Sequence, residues 1–277
     1  APPAVAPAPA PAARQAAAPL PGINLVGYAR HEMGIGESCR LAAGALRSAD
    51  IPFGIVHYSG GNPSRSADRS WAEREIAEPA YRINLFHING DQMSVAYDTL
   101  GASMFGGRYN IGYWHWELPE LPDAYADGFR YVQEVWVPSA FVRRSVEARS
   151  PVPVLRIPHG VSVKDVAPLS RGDFGLPERQ FLFLCMFDTH SYVARKNPSA
   201  VIRAYRRLTT AYGVSAGLVV KLNNPQPSVV ADLRREAEGM PDVRFVDRVL
   251  SRSDTYALIA CCDCLVSLHR AEGFGLP

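Results

Sequence analysis

The chain has 277 residues, a net charge of +2 and 47% hydrophobic residues, which is the composition of a globular protein. A net charge this close to zero argues against nucleic acid as the main partner, because duplex binders usually present a pronounced basic face. Five cysteines without the spacing of a disulfide framework indicate a reducing compartment. No apolar run reaches the length of a membrane span. We therefore expect a cytoplasmic protein.

The first residues, 1–21, are almost entirely alanine and proline. Such a stretch cannot bury enough apolar surface to offset its ordering entropy, and its prolines favour extended conformations. It also lacks the charged start and the apolar run of a signal peptide. We expect a disordered linker over 1–21, in a segment of a longer polypeptide with flanking domains, and a fold that begins at Gly22.

Short apolar runs then alternate with amphipathic stretches. The runs predicted to be strands are, in chain order, 23–29, 53–58, 82–87, 110–114, 134–137 and 154–157. This alternation predicts a parallel sheet with helices on both faces. We expect an N-terminal Rossmann-like domain over 22–165.

The alternation restarts after a polar stretch at 160–178 that is rich in proline and glycine. The predicted strands are 181–186, 218–222, 243–246 and 265–268, and the predicted helices are 198–212, 228–238 and 253–261. We expect a second doubly wound, Rossmann-like domain over 166–277. Ligands of such sheets bind outside the carboxyl ends of the strands, so the cleft between the two domains is the expected site.

Three basic residues follow or close strands of this second domain. Arg195 and Lys196 precede Pro198, a residue favoured at the first turn of a helix. Cations there oppose the helix dipole, which favours an anionic ligand; the alternative is a solvated pair beside a turn. Lys221 closes a buried strand, where long cations seldom lie unpaired. It either points toward the same cleft or caps a buried carboxylate.

The last strand leads into Glu272-Gly-Phe-Gly275. Glycines let a backbone approach a ligand closely, and the N–H groups of Gly273, Phe274 and Gly275 can hold phosphate oxygens. The Glu272 carboxylate can reach a sugar hydroxyl. Together with the basic residues, this segment predicts a nucleotide-diphosphate ligand.

Two segments of the first domain also follow strands. Gly34-Ile-Gly36 either brings backbone close to a donor phosphate or an acceptor hydroxyl, or forms a plain strand-to-helix turn. Trp114-His-Trp-Glu117 carries aromatic rings that either stack on sugar faces or belong to the core. His115 and Glu117 can orient an acceptor, although an isolated histidine is more often structural.

The order and spacing of these segments resemble those of the retaining GT-B glycosyltransferases with a paired-glutamate motif, in the group 1, family 4-like set. The resemblance rests on the segments Gly34–Glu37, Gly112–Pro119, Trp136–Ser139, Pro158–Val161, Phe187–Pro198 and Ser267–Leu276. It implies two Rossmann-like domains that face a cleft. It also implies a truncated second domain, because the second glutamate and the final helix of the family would fall beyond Pro277.

The resemblance implies a role for each matching residue. Arg195, Lys196 and Lys221 would neutralise the donor diphosphate, and Glu272 would contact the transferred sugar. Transfer would take place on the same face as the leaving phosphate, without a dedicated nucleophile. We expect no cofactor and, since the chain has no Asp-x-Asp motif at a strand end, no divalent metal.

The expected activity is retaining transfer of a hexose from a nucleotide-diphosphate sugar to a glycan or a lipid-linked acceptor in cell-surface polysaccharide synthesis. Resemblance alone favours mannose from its guanosine diphosphate, and it is compatible with peripheral association at the inner face of the membrane. The alternatives are a non-catalytic sugar-binding or nucleotide-sugar-binding module and another nucleotide-sugar enzyme, such as an epimerase or a phosphorylase. A phosphorylase needs a lysine that carries pyridoxal phosphate, and the chain has only three lysines.

Overall fold

A computed structural model describes residues 18–163 and 165–275. The α-helices and strands up to residue 156 are β1 Leu20–Gly27, α1 Gly34–Ser48, β2 Phe53–His57, β3 Tyr81–His87, α2 Met93–Leu100, α3 Ala102–Phe105, β4 Tyr109–Tyr113, β5 Glu134–Val137, α4 Ala140–Glu147 and β6 Val154–Arg156. The six strands form one parallel sheet in the order β2-β1-β3-β4-β5-β6.

The remaining elements build a second sheet. They are β7 Phe181–Asp188, α5 Val193–Lys196, α6 Pro198–Tyr212, β8 Ala216–Asn223, α7 Pro227–Glu236, β9 Val243–Val246, α8 Arg252–Cys261 and β10 Cys264–Leu265. The four strands are parallel and lie in the order β10-β7-β8-β9. The prediction of an α/β protein with two doubly wound parallel sheets is confirmed.

The first sheet is buried on both faces, as parallel strands flanked by helices require. Neighbouring residues Leu25 and Val26 of β1 point to opposite faces, and both are 0% exposed. A ladder of buried amides crosses the same sheet: Asn24 Nδ2 donates to Asn84 Oδ1 at 2.8 Å, and Asn84 Nδ2 donates to Asn110 Oδ1 at 2.7 Å. A slip by one residue would leave these amides unpaired, so the ladder holds the register of β1, β3 and β4.

Two predicted boundaries differ from the observed ones. The first strand begins at Leu20, which pairs with Tyr81, so the strand starts inside the stretch predicted as linker. Residues 1–17 of that stretch lie outside the described residues. The predicted strand at 265–268 is reduced to Cys264–Leu265, because the chain beyond it turns toward α5, where Asn197 Nδ2 donates to Leu268 O at 2.9 Å.

The described ranges 18–163 and 165–275 contain no helix that combines the length and the apolar character needed to cross a bilayer. The predicted domain boundary at 165 and 166 falls in the irregular segment between β6 and β7. The backbone N–H of Ala167 donates to Ser253 O at 3.2 Å, so the chain has joined the second sheet's helices by that residue.

Candidate functional site

Loops that follow strands of the two sheets meet at one place. The second domain contributes α5, which follows β7, and the segment 268–275, which follows β10. These two are joined by the backbone, since the N–H of Arg270 donates to Arg195 O at 2.8 Å. This contact sets Glu272 beside the two cations of α5.

An ion cluster forms where these segments meet the loop after β4. Arg195 Nη1 lies 3.4 Å from Glu272 Oε1 and 3.4 Å from Glu117 Oε1. Lys196 Nζ donates to Glu272 Oε1 at 2.5 Å, and His269 Nδ1 lies 2.8 Å from the same oxygen. The structure therefore brings together Arg195, Lys196, Glu117 and Glu272, which are four of the residues singled out from the sequence. We call these four residues the ion cluster.

Three side chains of the ion cluster are largely shielded from water, and Glu117 is 35% exposed. Lys196 is 11% exposed, Arg195 21% and Glu272 26%, so their charges interact more strongly than those of a surface pair. Arg195 and Lys196 lie in the last turn of α5 and precede the first residue of α6, Pro198. Both cations thus precede the N-terminus of α6, as the sequence predicts, and they also form the last turn of a separate short helix.

The glycine turn of the second domain packs directly on the first domain. Ser139 Oγ donates to Gly273 O at 2.6 Å and accepts from Val142 N at 3.2 Å, which caps the N-terminus of α4. The Phe274 ring contacts the His159 ring edge-on, with centroids 4.8 Å apart. A Cβ atom at Gly273 would lie 2.8 Å from Trp116 O, so only glycine fits there without a shift. Gly275 has a φ of +81°, which also favours glycine.

Lys221 is placed differently from the ion cluster. It is 0% exposed, and its ammonium donates to Leu222 O at 2.7 Å, Asn223 Oδ1 at 2.8 Å and Arg248 O at 3.2 Å. Burial lowers the pKa of Lys221 to about 8, although the nearby carboxylates of Asp188 and Asp247 oppose this shift. Its acceptors are carbonyl and amide oxygens, neither a buried carboxylate nor, among the described residues, any atom of the ion cluster. Its assignment to the donor diphosphate stays a prediction.

We expect Lys221→Ala to lower the free energy of unfolding by about 3 kcal/mol, because hydrogen bonds to a buried charge are worth about 1.5–3 kcal/mol each and their loss leaves acceptors unpaired. Urea unfolding at pH 7 measures the change. Lys221→Met, which keeps most of the volume, separates packing from hydrogen bonding. An Ala variant within about 0.5 kcal/mol of the wild type would show that the three contacts contribute little.

His115 belongs to a stack of rings beside the ion cluster, in which Tyr113 and His87 are buried and His115 and His159 are half-buried. His115 Nε2 lies 3.1 Å from His159 Nε2, and Tyr113 stacks on His159 and on His87. Burial lowers the pKa of His115 to about 3 and that of His159 to about 4, and it holds the pKa of His87 well below 6.5. These imidazoles are neutral at pH 7, so each has one N–H donor and one acceptor nitrogen.

The structure also places three other residues that the sequence predicts near the site, Trp114, Gly34 and Gly36. Trp114 is 0% exposed and packs on Phe129 with ring centroids 4.7 Å apart, so it belongs to the core. A Cβ at Gly36 would lie 2.2 Å from His31 O, which supports the interpretation as a plain strand-to-helix turn. Gly34 begins α1 and has open space around it. Neither glycine contacts the ion cluster among the hydrogen bonds of the described residues.

The sequence predictions give no role to three residues near the ion cluster, Ser139, His159 and His269. Ser139 and His159 lie in segments noted for their resemblance, Trp136–Ser139 and Pro158–Val161, and both follow strands of the first sheet. His269 lies in the turn before Glu272. The signal that could have identified them is position: each follows a strand, on the edge of the sheet where ligands bind.

Solved structures show a related architecture, although no family model and no curated protein sequence matches the chain. The apo lipopolysaccharide outer core galactosyltransferase WaaB has a TM-score of 0.55 at 14% identity, over 90% of this chain and 74% of that one. The fold is GT-B. TarM has a TM-score of 0.52 at 10% identity, over 70% of this chain and 37% of TarM, so this chain spans well under half the length of TarM. The N-terminal domain of Candida albicans trehalose-6-phosphate phosphatase has a TM-score of 0.51 at 10% identity, over 86% of this chain and 68% of that one.

Proposed function

We propose that this protein is a glycosyltransferase that uses a nucleotide-diphosphate sugar as donor. The observation that carries the proposal is the ion cluster, in which Arg195 and Lys196 meet Glu272 and Glu117 where the loops of the two sheets join. A structure of an S. aureus TarM point mutant, with a TM-score of 0.51, contains UDP and alpha-GlcNAc-glycerol. That protein's ligands support the choice of donor class.

The basic side chains of the ion cluster stabilise the negative charge of the leaving group. A departing nucleoside diphosphate gains negative charge, and fixed cations stabilise it most where water is excluded. Arg195 can offer two parallel N–H donors to phosphate oxygens, and Lys196 adds a point charge. The diphosphate takes over the ion pairs of Glu272, whose carboxylate then accepts hydrogen bonds from the hydroxyls of the transferred sugar.

The bond changes need no protein nucleophile. The acceptor hydroxyl forms a bond to the anomeric carbon on the face from which the phosphate departs, and the bond from that carbon to the phosphate oxygen breaks. The hydroxyl proton passes to the departing phosphate. The backbone N–H groups of the Gly273–Gly275 turn hold phosphate oxygens. His115 acts on the attacking hydroxyl only through its hydrogen-bonded neighbour, since its Nε2 lies 3.1 Å from His159 Nε2.

The finer features of the reaction belong to this proposal as well. The transferred sugar is a hexose, with mannose from guanosine diphosphate as the first candidate, and the configuration is retained. The acceptor is a glycan or a lipid-linked sugar used in cell-surface polysaccharides. The reaction takes place in the cytoplasm, at the inner face of the membrane.

A panel of UDP-, GDP- and ADP-sugars tests the function. We expect one donor class to raise the unfolding temperature, because a ligand at 100 times its Kd adds about 2.7 kcal/mol to stability. Release of the nucleoside diphosphate, with water or added sugars as acceptor, then measures turnover. Stabilisation without release would identify a binding module. No stabilisation and no release with any of the donors would contradict the proposal.

A further inference from the structure

A groove outside the ion cluster follows the same loop. It has a volume of about 620 Å³ and is lined by the loop from Trp116 to Asp123 and by Arg149, just beyond α4. This volume is within the range of small-molecule sites, about 300–1,000 Å³. We call it the Trp116 groove.

The groove presents a fixed apolar wall. Trp116 Nε1 donates to Glu120 O at 2.6 Å, and its ring contacts Tyr125 edge-on with centroids 5.5 Å apart. These two contacts hold the indole, which is partly exposed. Leu118 beside it is 51% exposed. An aromatic ring held in this way is a platform for the C–H face of a sugar ring, since it offers contact area at little cost in conformational entropy.

The rim of the groove is polar but slightly acidic. Arg149 Nη1 donates to Leu121 O at 2.7 Å and forms an ion pair with Asp123. The side chains of Arg149 and Asp123 are 47% and 90% exposed, and Glu120 is exposed too. Two carboxylates against one guanidinium disfavour an anionic ligand, whereas these groups can bond to hydroxyls. The lining fits an uncharged polyhydroxyl molecule.

The groove and the ion cluster share one stretch of backbone, the loop after β4. Glu117, the next residue after Trp116, reaches Arg195 at 3.4 Å, and the Trp116 carbonyl faces Gly273. A sugar chain whose terminal residue lies at the ion cluster can extend along this loop to the groove. We propose that the Trp116 groove binds the non-reacting sugars of an uncharged oligosaccharide acceptor. This inference rests on the proposed function of the ion cluster.

An array of immobilised oligosaccharides, neutral and sialylated, tests the groove. We expect the wild type to retain neutral chains of two or more sugars and to bind sialylated ones less. Trp116→Ala should weaken this binding about tenfold, in keeping with the about 1.4 kcal/mol of one stacking contact. Trp116→Phe should weaken it only about twofold. Tyr212→Ala, which removes a 68% exposed aromatic ring at the end of α6, serves as the control and should change nothing.

The result that overturns the inference is either no retention of any neutral oligosaccharide or equal retention by the wild type and Trp116→Ala. If Trp116→Ala fails to fold, Leu118→Ala and Trp116→Phe take its place, with expected losses of about three- and twofold. Nucleoside-diphosphate binding by calorimetry, which Trp116→Ala should leave unchanged, separates the two proposals. Neutral chains bound at the groove without any nucleotide binding would refute the transferase function and leave a glycan site.

Discussion

Replacing Arg195 by alanine is expected to lower the rate of sugar transfer by about 10²–10³-fold, the typical effect of removing one group that stabilises the charge of a transition state. The guanidinium lies 3.4 Å from both Glu272 and Glu117, so it pairs with one carboxylate from each domain. Its loss leaves Lys196 as the one cation of the ion cluster. Nucleoside-diphosphate release at saturating donor measures the change.

Two matched variants make the result specific. Arg203→Ala removes an exposed guanidinium of α6 that pairs with Glu236 at 3.0 Å, and we expect wild-type rates from it. Arg195→Lys keeps the charge but loses the planar fork, so an intermediate rate is expected. Transfer at the wild-type rate by Arg195→Ala, in a protein with an unchanged unfolding temperature, would remove this residue from the proposed mechanism.

Mild acid is expected to destabilise the protein strongly. The pKa values of His87, His115 and His159 are lowered by burial in the folded chain, whereas each is near 6.5 in the unfolded chain. Between pH 6.5 and about 4 the unfolded chain therefore binds more protons than the folded one. Each such histidine then reduces the free energy of unfolding by about 1.4 kcal/mol per pH unit. These three account for a loss of about 4 kcal/mol between pH 7.5 and 5.5, and His57, whose pKa burial lowers to about 4, adds about 1.4 kcal/mol.

Urea unfolding at the two pH values measures this loss, and carboxylates contribute little to it because most titrate below pH 5. His159→Gln removes one member of the ring stack and should reduce the loss by about 1.4 kcal/mol. His190→Gln changes an exposed side chain and should leave the dependence as in the wild type. A stability that is level from pH 7.5 to 5.5 would mean that the stack accepts protons without loss of structure.

The ends of elements could be predicted where local chemistry determines them. The sequence predicts α6 at both ends, because Pro198 suits a first turn and Gly213 takes a left-handed φ of +62° after the last one. The strand β10 ends early for a different reason. Leu268 O accepts a hydrogen bond from Asn197, a tertiary contact that no periodicity reveals.

The same distinction between local chemistry and tertiary contacts applies to the candidate site. Strand-end reasoning selects Arg195, Glu117 and Glu272, which the structure brings together, because parallel strands deliver their carboxyl ends to one edge. It could not pair Ser139 with Gly273, since periodicity does not say which loops meet across a cleft. It also could not predict the direction of the Lys221 side chain, which depends on carbonyl oxygens from separate segments.

The packing of Gly273 against the Trp116 carbonyl has a mechanical consequence. Both sides of this contact are backbone, and a single added carbon at Gly273 would come within 2.8 Å of the oxygen. Side chains can change rotamer to absorb a collision, but backbone in two packed domains cannot. A side chain at Gly273 would therefore hold the two domains apart, so the width of the cleft in this structure depends on the absence of one carbon atom.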